Sequence, residues 1–155
     1  MRITRYTDYS LRVLMYLGVK GEGLATIQEI ADRYQISRNH LMKVVYDLNQ
    51  HGYIETVRGK GGGMRLRARP EKLRLGDLIR TVEQDLTLVE CFGSGNQCRI
   101  TPVCTLKGIL AEALEAFFDA LNQYTLADLL APGPELGKLL GMDDAVRPVT
   151  FASRR

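Results

Sequence analysis

The order of local patterns between residues 7 and 69 constrains this chain more than any other feature. Three short amphipathic helical patterns run in succession, and a glycine-tipped hairpin follows them. Over residues 7–19 (TDYSLRVLMYLGV), Leu11, Leu14, Met15 and Gly18 share one face. Thr7 is placed to cap this helix and Asp8 suits its positive end; Gly21-Glu22-Gly23 stops it. Residues 26–34 form a second helical pattern. Thr26 with Glu29 three residues on is a capping box, and Ile27, Ile30 and Ala31 face inward. After a two-residue turn, Ser37 is placed to cap a third helix running to about residue 51. Leu41, Val44, Val45 and Leu48 are its buried face and Gly52 its stop. Residues 53–58 and 64–69 then alternate apolar and polar side chains on either side of Gly59-Lys60-Gly61-Gly62-Gly63, as two hairpin strands do.

Helix, turn, capped helix and hairpin is the order of a winged helix-turn-helix, so the expected fold is mainly α with a small β-hairpin wing. In such a pair the second helix enters the major groove, its N-terminal residues toward the base edges. That places Ser37, Arg38, Asn39, His40 and Lys43 at DNA. Arg pairs bidentately with guanine and Asn with adenine. Ser37 and its neighbouring N–H groups suit a phosphate. Arg58 and Lys60 sit on the glycine frame of the wing, which can reach a narrow minor groove. The glycine run lacks the G-x-x-x-x-G-K-[ST] spacing and precedes a strand, which excludes a phosphate-binding loop. His40 reads as a DNA contact and His51 as a solvated helix end.

Charge distribution agrees. Residues 33–74 carry ten Lys/Arg against three Asp/Glu, whereas residues 75–146 carry four against eleven. A basic half joined to an acidic one fits a nucleic-acid-binding module attached to something else. No apolar run approaches the ~18 residues that span a bilayer, and residues 13–19 are too short for a signal peptide, so a cytoplasmic protein is expected.

The acidic half holds the only cysteines, Cys91, Cys98 and Cys104, within the loop ECFGSGNQCRITPVCTLKG. An odd, clustered set in a cytoplasmic chain reads as metal or redox chemistry rather than a disulfide framework. C-x6-C-x5-C differs from the paired short knuckles of structural zinc, and its wide loops can wrap a larger object. Thiolates are the usual ligands of iron–sulfur clusters, which generally take four protein ligands. Zinc held by three Cys and one other residue, and free thiols without metal, stay open on these residues alone. No Ser/His/Asp or Cys/His constellation marks an enzyme.

Before the loop, residues 75–85 pattern as a fourth helix. After it, residues 105–124 are the longest helical pattern, with Leu106, Ile109, Leu110, Ala113, Leu114, Phe117, Phe118 and Leu121 in one broad apolar stripe. Thr125 is placed to cap a short helix ending near residue 131, and a weakly ordered tail is expected beyond Pro132. The expected organisation is therefore a DNA-binding domain over 1–74, a cysteine loop with helices over 75–131, and a tail over 132–155.

TRYTDYSLRVLMYL, the VRGKGGG wing, the LGDLIRTVE helix and the three-cysteine loop before a long helix together resemble the iron–sulfur winged-helix transcriptional regulators, a family with IscR-like and NsrR-like branches. The likeness covers residues 1 to about 131. It implies a homodimer crossed through the long helices, acting on a pseudo-palindromic double-stranded operator. The IscR-like branch carries a histidine three residues after the last cysteine; here that position is Lys107, which while protonated has no lone pair for a metal. The NsrR-like branch uses an aspartate near the start of helix one, and Asp8 lies in the matching TDYSLR context. The likeness thus implies a nitric-oxide-sensing repressor, with a [4Fe-4S] cluster held by Cys91, Cys98, Cys104 and Asp8 of the partner subunit. A [2Fe-2S] cluster, a signal of cluster status or redox stress, and a zinc or thiol regulator are the alternatives.

Overall fold

A computed structural model describes residues 3–142. Helices α1 (Arg5–Lys20), α2 (Ile27–Tyr34) and α3 (Arg38–Gln50) precede strands β1 (Ile54–Val57) and β2 (Gly63–Leu66). Helices α4 (Leu75–Val82), α5 (Thr105–Leu121), α6 (Leu126–Leu129) and α7 (Gly133–Leu139) follow, with single 3-10 turns at Pro70–Lys72, Glu90–Phe92 and Thr101–Val103. The mainly α winged-helix fold expected from the sequence is the fold observed.

The capping box of α2 forms as expected: the Glu29 N–H donates to Thr26 Oγ1 at 3.1 Å, and the Thr26 N–H to Glu29 Oε2 at 3.4 Å. Leu41, Val44, Val45 and Leu48 of α3 are buried. They pack with Val13, Leu14, Tyr16 and Leu17 of α1 and Ile30 of α2 into one core. Ser37 occupies the N-cap position of α3 but makes no side-chain cap bond; it is exposed.

The hairpin is antiparallel, in the register Ile54↔Leu66, Glu55↔Arg65, Thr56↔Met64 and Val57↔Gly63. Ala25 adds a third backbone partner, exchanging bonds of 2.9 and 2.8 Å with Met64. Gly63 permits this approach, because a Cβ there would stand 2.7 Å from the Ala25 carbonyl oxygen. Gly59 and Gly61, at the tip, have φ of 102° and 78°, the region that glycine enters without a Cβ clash.

Besides the missing Ser37 cap bond, two expectations change. Helix one begins at Arg5 and is capped by Thr4, not Thr7; Thr7 is fully buried. The cause is a tertiary partner: Glu83, just past α4, accepts from the Thr4 N–H (3.0 Å), the Thr4 hydroxyl (3.1 Å) and the Thr7 hydroxyl (2.7 Å). The segment after Pro132 is helical as far as Leu139, and Leu140 and Met142 join the core. Pro132 and Pro134 begin this helix rather than prevent one, since proline suits a first turn. Residues 143–155 of the expected tail lie outside the described residues. The apolar stripe of α5, expected to serve a second copy, lies largely uncovered in the single chain. Only Phe118 of it is buried, while Leu106 and Ile109 are 57% and 60% exposed.

Candidate functional site

Two groups of side chains are the candidates for function. The first is the outward face of α3 with the wing. Ser37, Arg38, Asn39, His40 and Lys43 are all exposed, as are Arg58 and Lys60. The buried face of α3 sets Asn39 and Lys43 on its opposite side, and Arg38 and His40 flank them in the first turn. This is the arrangement a groove-reading helix needs.

Helix α1 braces that helix from behind. Tyr6 donates its hydroxyl to Asp47 of α3, and Lys43 Nζ stands 5.6 Å from the centre of the Tyr6 ring. Burial raises the Tyr6 phenol well above its ordinary value, and the Asp47 carboxylate adds to the shift. The Tyr9 ring lies 6.2 Å from that of His40, the first-turn residue of α3. The sequence reading did not find this bracing, since aromatic residues one turn apart on α1 carry no signal of what they meet.

The second group is the cysteine loop with the start of α1. Cys91 lies in the 3-10 turn after α4 and is half-buried, Cys98 is exposed, and Cys104 is the half-buried N-cap residue of α5. None is in a disulfide. Short polar bonds shape the loop between them: the Cys98 N–H donates to Asn96 Oδ1 at 3.0 Å, and the Thr101 hydroxyl to the Cys98 carbonyl at 2.8 Å. A cavity of about 450 Å³ opens beside Cys91, with Phe92, Lys107 and Leu114 in its lining. Among the described residues, no three His, Cys, Asp or Glu converge on one point. The three thiols therefore lie on one loop, and no three of Cys91, Cys98, Cys104 and Asp8 converge within the single chain.

Asp8 instead pairs with Arg12 one turn along α1, at 2.9 Å. The Arg12 guanidinium lies 6.0 Å from the Tyr9 ring centre and 5.8 Å from that of Tyr34 on α2. A continuous set of contacts thus runs from Asp8 through Arg12 and Tyr9 to His40. The i,i+4 spacing of Asp8 and Arg12 was visible in the sequence; the aromatic continuation was not.

As a donor set, three thiols match the soft ligation of an iron–sulfur cluster and fall one short of the usual four. The loop is spacious at Gly95, where a Cβ would meet nothing within 4 Å. The donor chemistry fits such a cluster, given one further ligand from outside the loop.

Fold and exposed basic face together define a winged-helix transcriptional regulator. The Rrf2 family, described as iron-dependent transcriptional regulators, matches residues 3–132, and the chain belongs to it. It is 51% identical over 142 residues to the HTH-type transcriptional regulator NsrR of Bacillus licheniformis, a match covering 90% of this chain and 99% of that protein. Among solved structures it resembles the oxidized form of Staphylococcus aureus CymR, with 28% identity and a TM-score of 0.67 over 84% of this chain and 97% of that one. The T. potens IscR structure shares the fold, with a TM-score of 0.69 at 24% identity over 88% of this chain and 90% of that one. The chain is accordingly a transcriptional regulator of the NsrR/IscR type and not an enzyme. None of its described helices is long and apolar enough to cross a membrane.

Proposed function

We propose that this regulator is a homodimeric repressor that releases DNA in response to nitric oxide, through a [4Fe-4S] cluster held by Cys91, Cys98, Cys104 and the partner's Asp8. When bound, such a cluster supplies iron that is open to attack by nitric oxide. The apolar residues Leu106 and Ile109 of α5, exposed in the single chain, favour a second copy as the cover of that helix. Pairing through α5 gives two recognition helices, which must match half-sites about 34–36 Å apart.

The observation that carries the reading is the contact path from Asp8 to His40. A carboxylate engaged in ligation no longer holds Arg12 in the same way. Arg12 is then free to shift against Tyr9 and Tyr34, and Tyr9 packs on the first turn of α3. The position of Arg12 therefore bears on the tilt of the DNA-reading helix. A small change in tilt or spacing in both protomers lowers operator affinity, because both half-sites are lost together.

The test is anaerobic purification followed by iron and sulfide analysis. The proposal expects four iron and four sulfide per chain, and Cys98→Ala losing both. A second reading, a thiol-based redox regulator, draws support from the exposed Cys98 thiol. It expects material without iron whose DNA binding follows oxidation of the cysteines.

A further inference from the structure

Met42 and Tyr46 of α3 are 50% and 63% exposed. Isolated apolar residues at a surface are ordinary. Here the register sets them apart. Asn39, Met42, Lys43 and Tyr46 follow the i, i+3, i+4, i+7 spacing and form one stripe along α3, opposite the buried Leu41, Val44 and Leu48. Arg38 and His40, also exposed, flank its beginning. An apolar patch set among cations and an amide suits a polyanion that also offers an apolar group. In the major groove that group is the thymine C5-methyl, which no other base carries.

We infer that Met42 is a specificity-determining residue that reads a thymine methyl, and that Tyr46 contacts the sugar–phosphate wall beside it. The inference rests on the DNA-binding reading and adds the base it selects. Met42 follows Asn39 by about 4.5 Å along the helix axis, so it meets the base pair next to the one Asn39 addresses. Its unbranched thioether adapts to the methyl without fixed geometry. Tyr46 stands about 6 Å further along, where the helix leaves the base edges. There its ring lies on sugar and its hydroxyl donates to a phosphate oxygen, a contact that positions without specifying.

The test uses the full chain, purified anaerobically, and a duplex enriched by that protein from a random library. Each thymine is replaced in turn by uracil, which removes the methyl and keeps the pairing edge. The expected result is one thymine per half-site at which uracil weakens binding about fourfold, the factor equivalent to losing one buried methylene. Met42→Ala weakens binding to the thymine duplex by a similar factor and removes the sensitivity to uracil. Met42→Leu retains most of that sensitivity. Tyr46→Phe lowers affinity for thymine and uracil duplexes alike.

Undiminished uracil sensitivity in Met42→Ala overturns the assignment, as does a wild-type profile with no sensitive thymine. A change in oligomeric state of Met42→Ala by sedimentation assigns the stripe to a protein contact, and it too overturns the inference. Enrichment of no duplex at all refutes the DNA-binding reading itself, and the inference falls with it.

Discussion

Glu83 is the anchor that sets where α1 begins, and replacing it gives the sharpest stability prediction. Its Oε2 accepts three hydrogen bonds from Thr4 and Thr7, one of them from a Thr7 hydroxyl with no solvent exposure. Its Oε1 is buried and has no partner among the described residues. In Glu83→Ala, water reaches the half-exposed Thr4 groups and replaces much of what they lose. The Thr7 hydroxyl keeps only its 3.3 Å contact with Thr4 Oγ1. A hydrogen bond to a charged group contributes about 1.5–3 kcal/mol, and the favourable carboxylate at the helix N-terminus adds roughly 0.3–1 kcal/mol. The variant is therefore expected to lose about 2–4 kcal/mol in urea unfolding, with Tm falling by roughly 5–15 °C. Glu83→Gln keeps an acceptor at the Oε2 position and can turn its amide toward the unpartnered side, so it is expected to lose only about 1 kcal/mol.

Acid unfolding gives the same test a second axis. Burial acts to raise the Glu83 carboxyl, but the bonds from Thr4 and Thr7, with a lesser contribution from the Asp85 backbone, outweigh it and hold the group below its ordinary value of 4.5. The folded value is the lower one, so the contribution is complete above that ordinary value. It fades as pH falls through the folded value. Glu83→Gln should flatten this part of the acid limb. An alanine variant losing less than about 0.5 kcal/mol, or a glutamine variant as damaged as the alanine one, refutes the anchoring role.

Three further expectations are independent of that anchor. Gly76→Ala should destabilise by about 1–3 kcal/mol in urea unfolding, because its Cβ would sit 2.5 Å from the Phe118 carbonyl oxygen and 2.5 Å from Asn122 Oδ1. Arg58→Ala should lower operator affinity and reduce the salt dependence of binding by about 0.9 in the log–log slope, if the wing arginine meets one phosphate; a gel-shift series over salt measures it. Asp8→Ala should leave urea stability within about 0.5 kcal/mol, the worth of an exposed i,i+4 pair, yet abolish the response of DNA binding to nitric oxide. An unchanged response in that variant removes Asp8 from the mechanism.

The elements legible in the sequence were those whose signals are local. The Thr26–Glu29 capping box, the Leu41, Val44, Val45 and Leu48 face and the glycine-tipped hairpin each depend on neighbours within a few residues; the first two formed where expected, and the hairpin formed with shorter strands, Ile54–Val57 and Gly63–Leu66, because Gly63 pairs in the sheet. The start of α1 was misplaced because Thr4 and Thr7 are both threonines in capping positions, and a carboxylate some eighty residues away decides between them. Helix α7 is not legible because proline and glycine usually break helices, whereas here Pro132 and Pro134 open the helix and Leu140 and Met142 anchor its end. The apolar stripe of α5 was correctly seen as apolar, but periodicity does not say whether the same chain or another covers it. The cysteine loop stands out from spacing alone. The Arg12–Tyr9–His40 contacts behind α3 do not, since long-range aromatic packing leaves no periodic trace.

The most direct test of the central claim is an operator titration under strict anaerobic conditions, with the iron-loaded protein before and after nitric oxide is added in known ratio to iron. The expected result is tight binding by the loaded protein and loss of binding as nitric oxide is added, with the loss absent in Asp8→Ala. Equal operator affinity for loaded, nitric-oxide-treated and iron-free protein contradicts the claim.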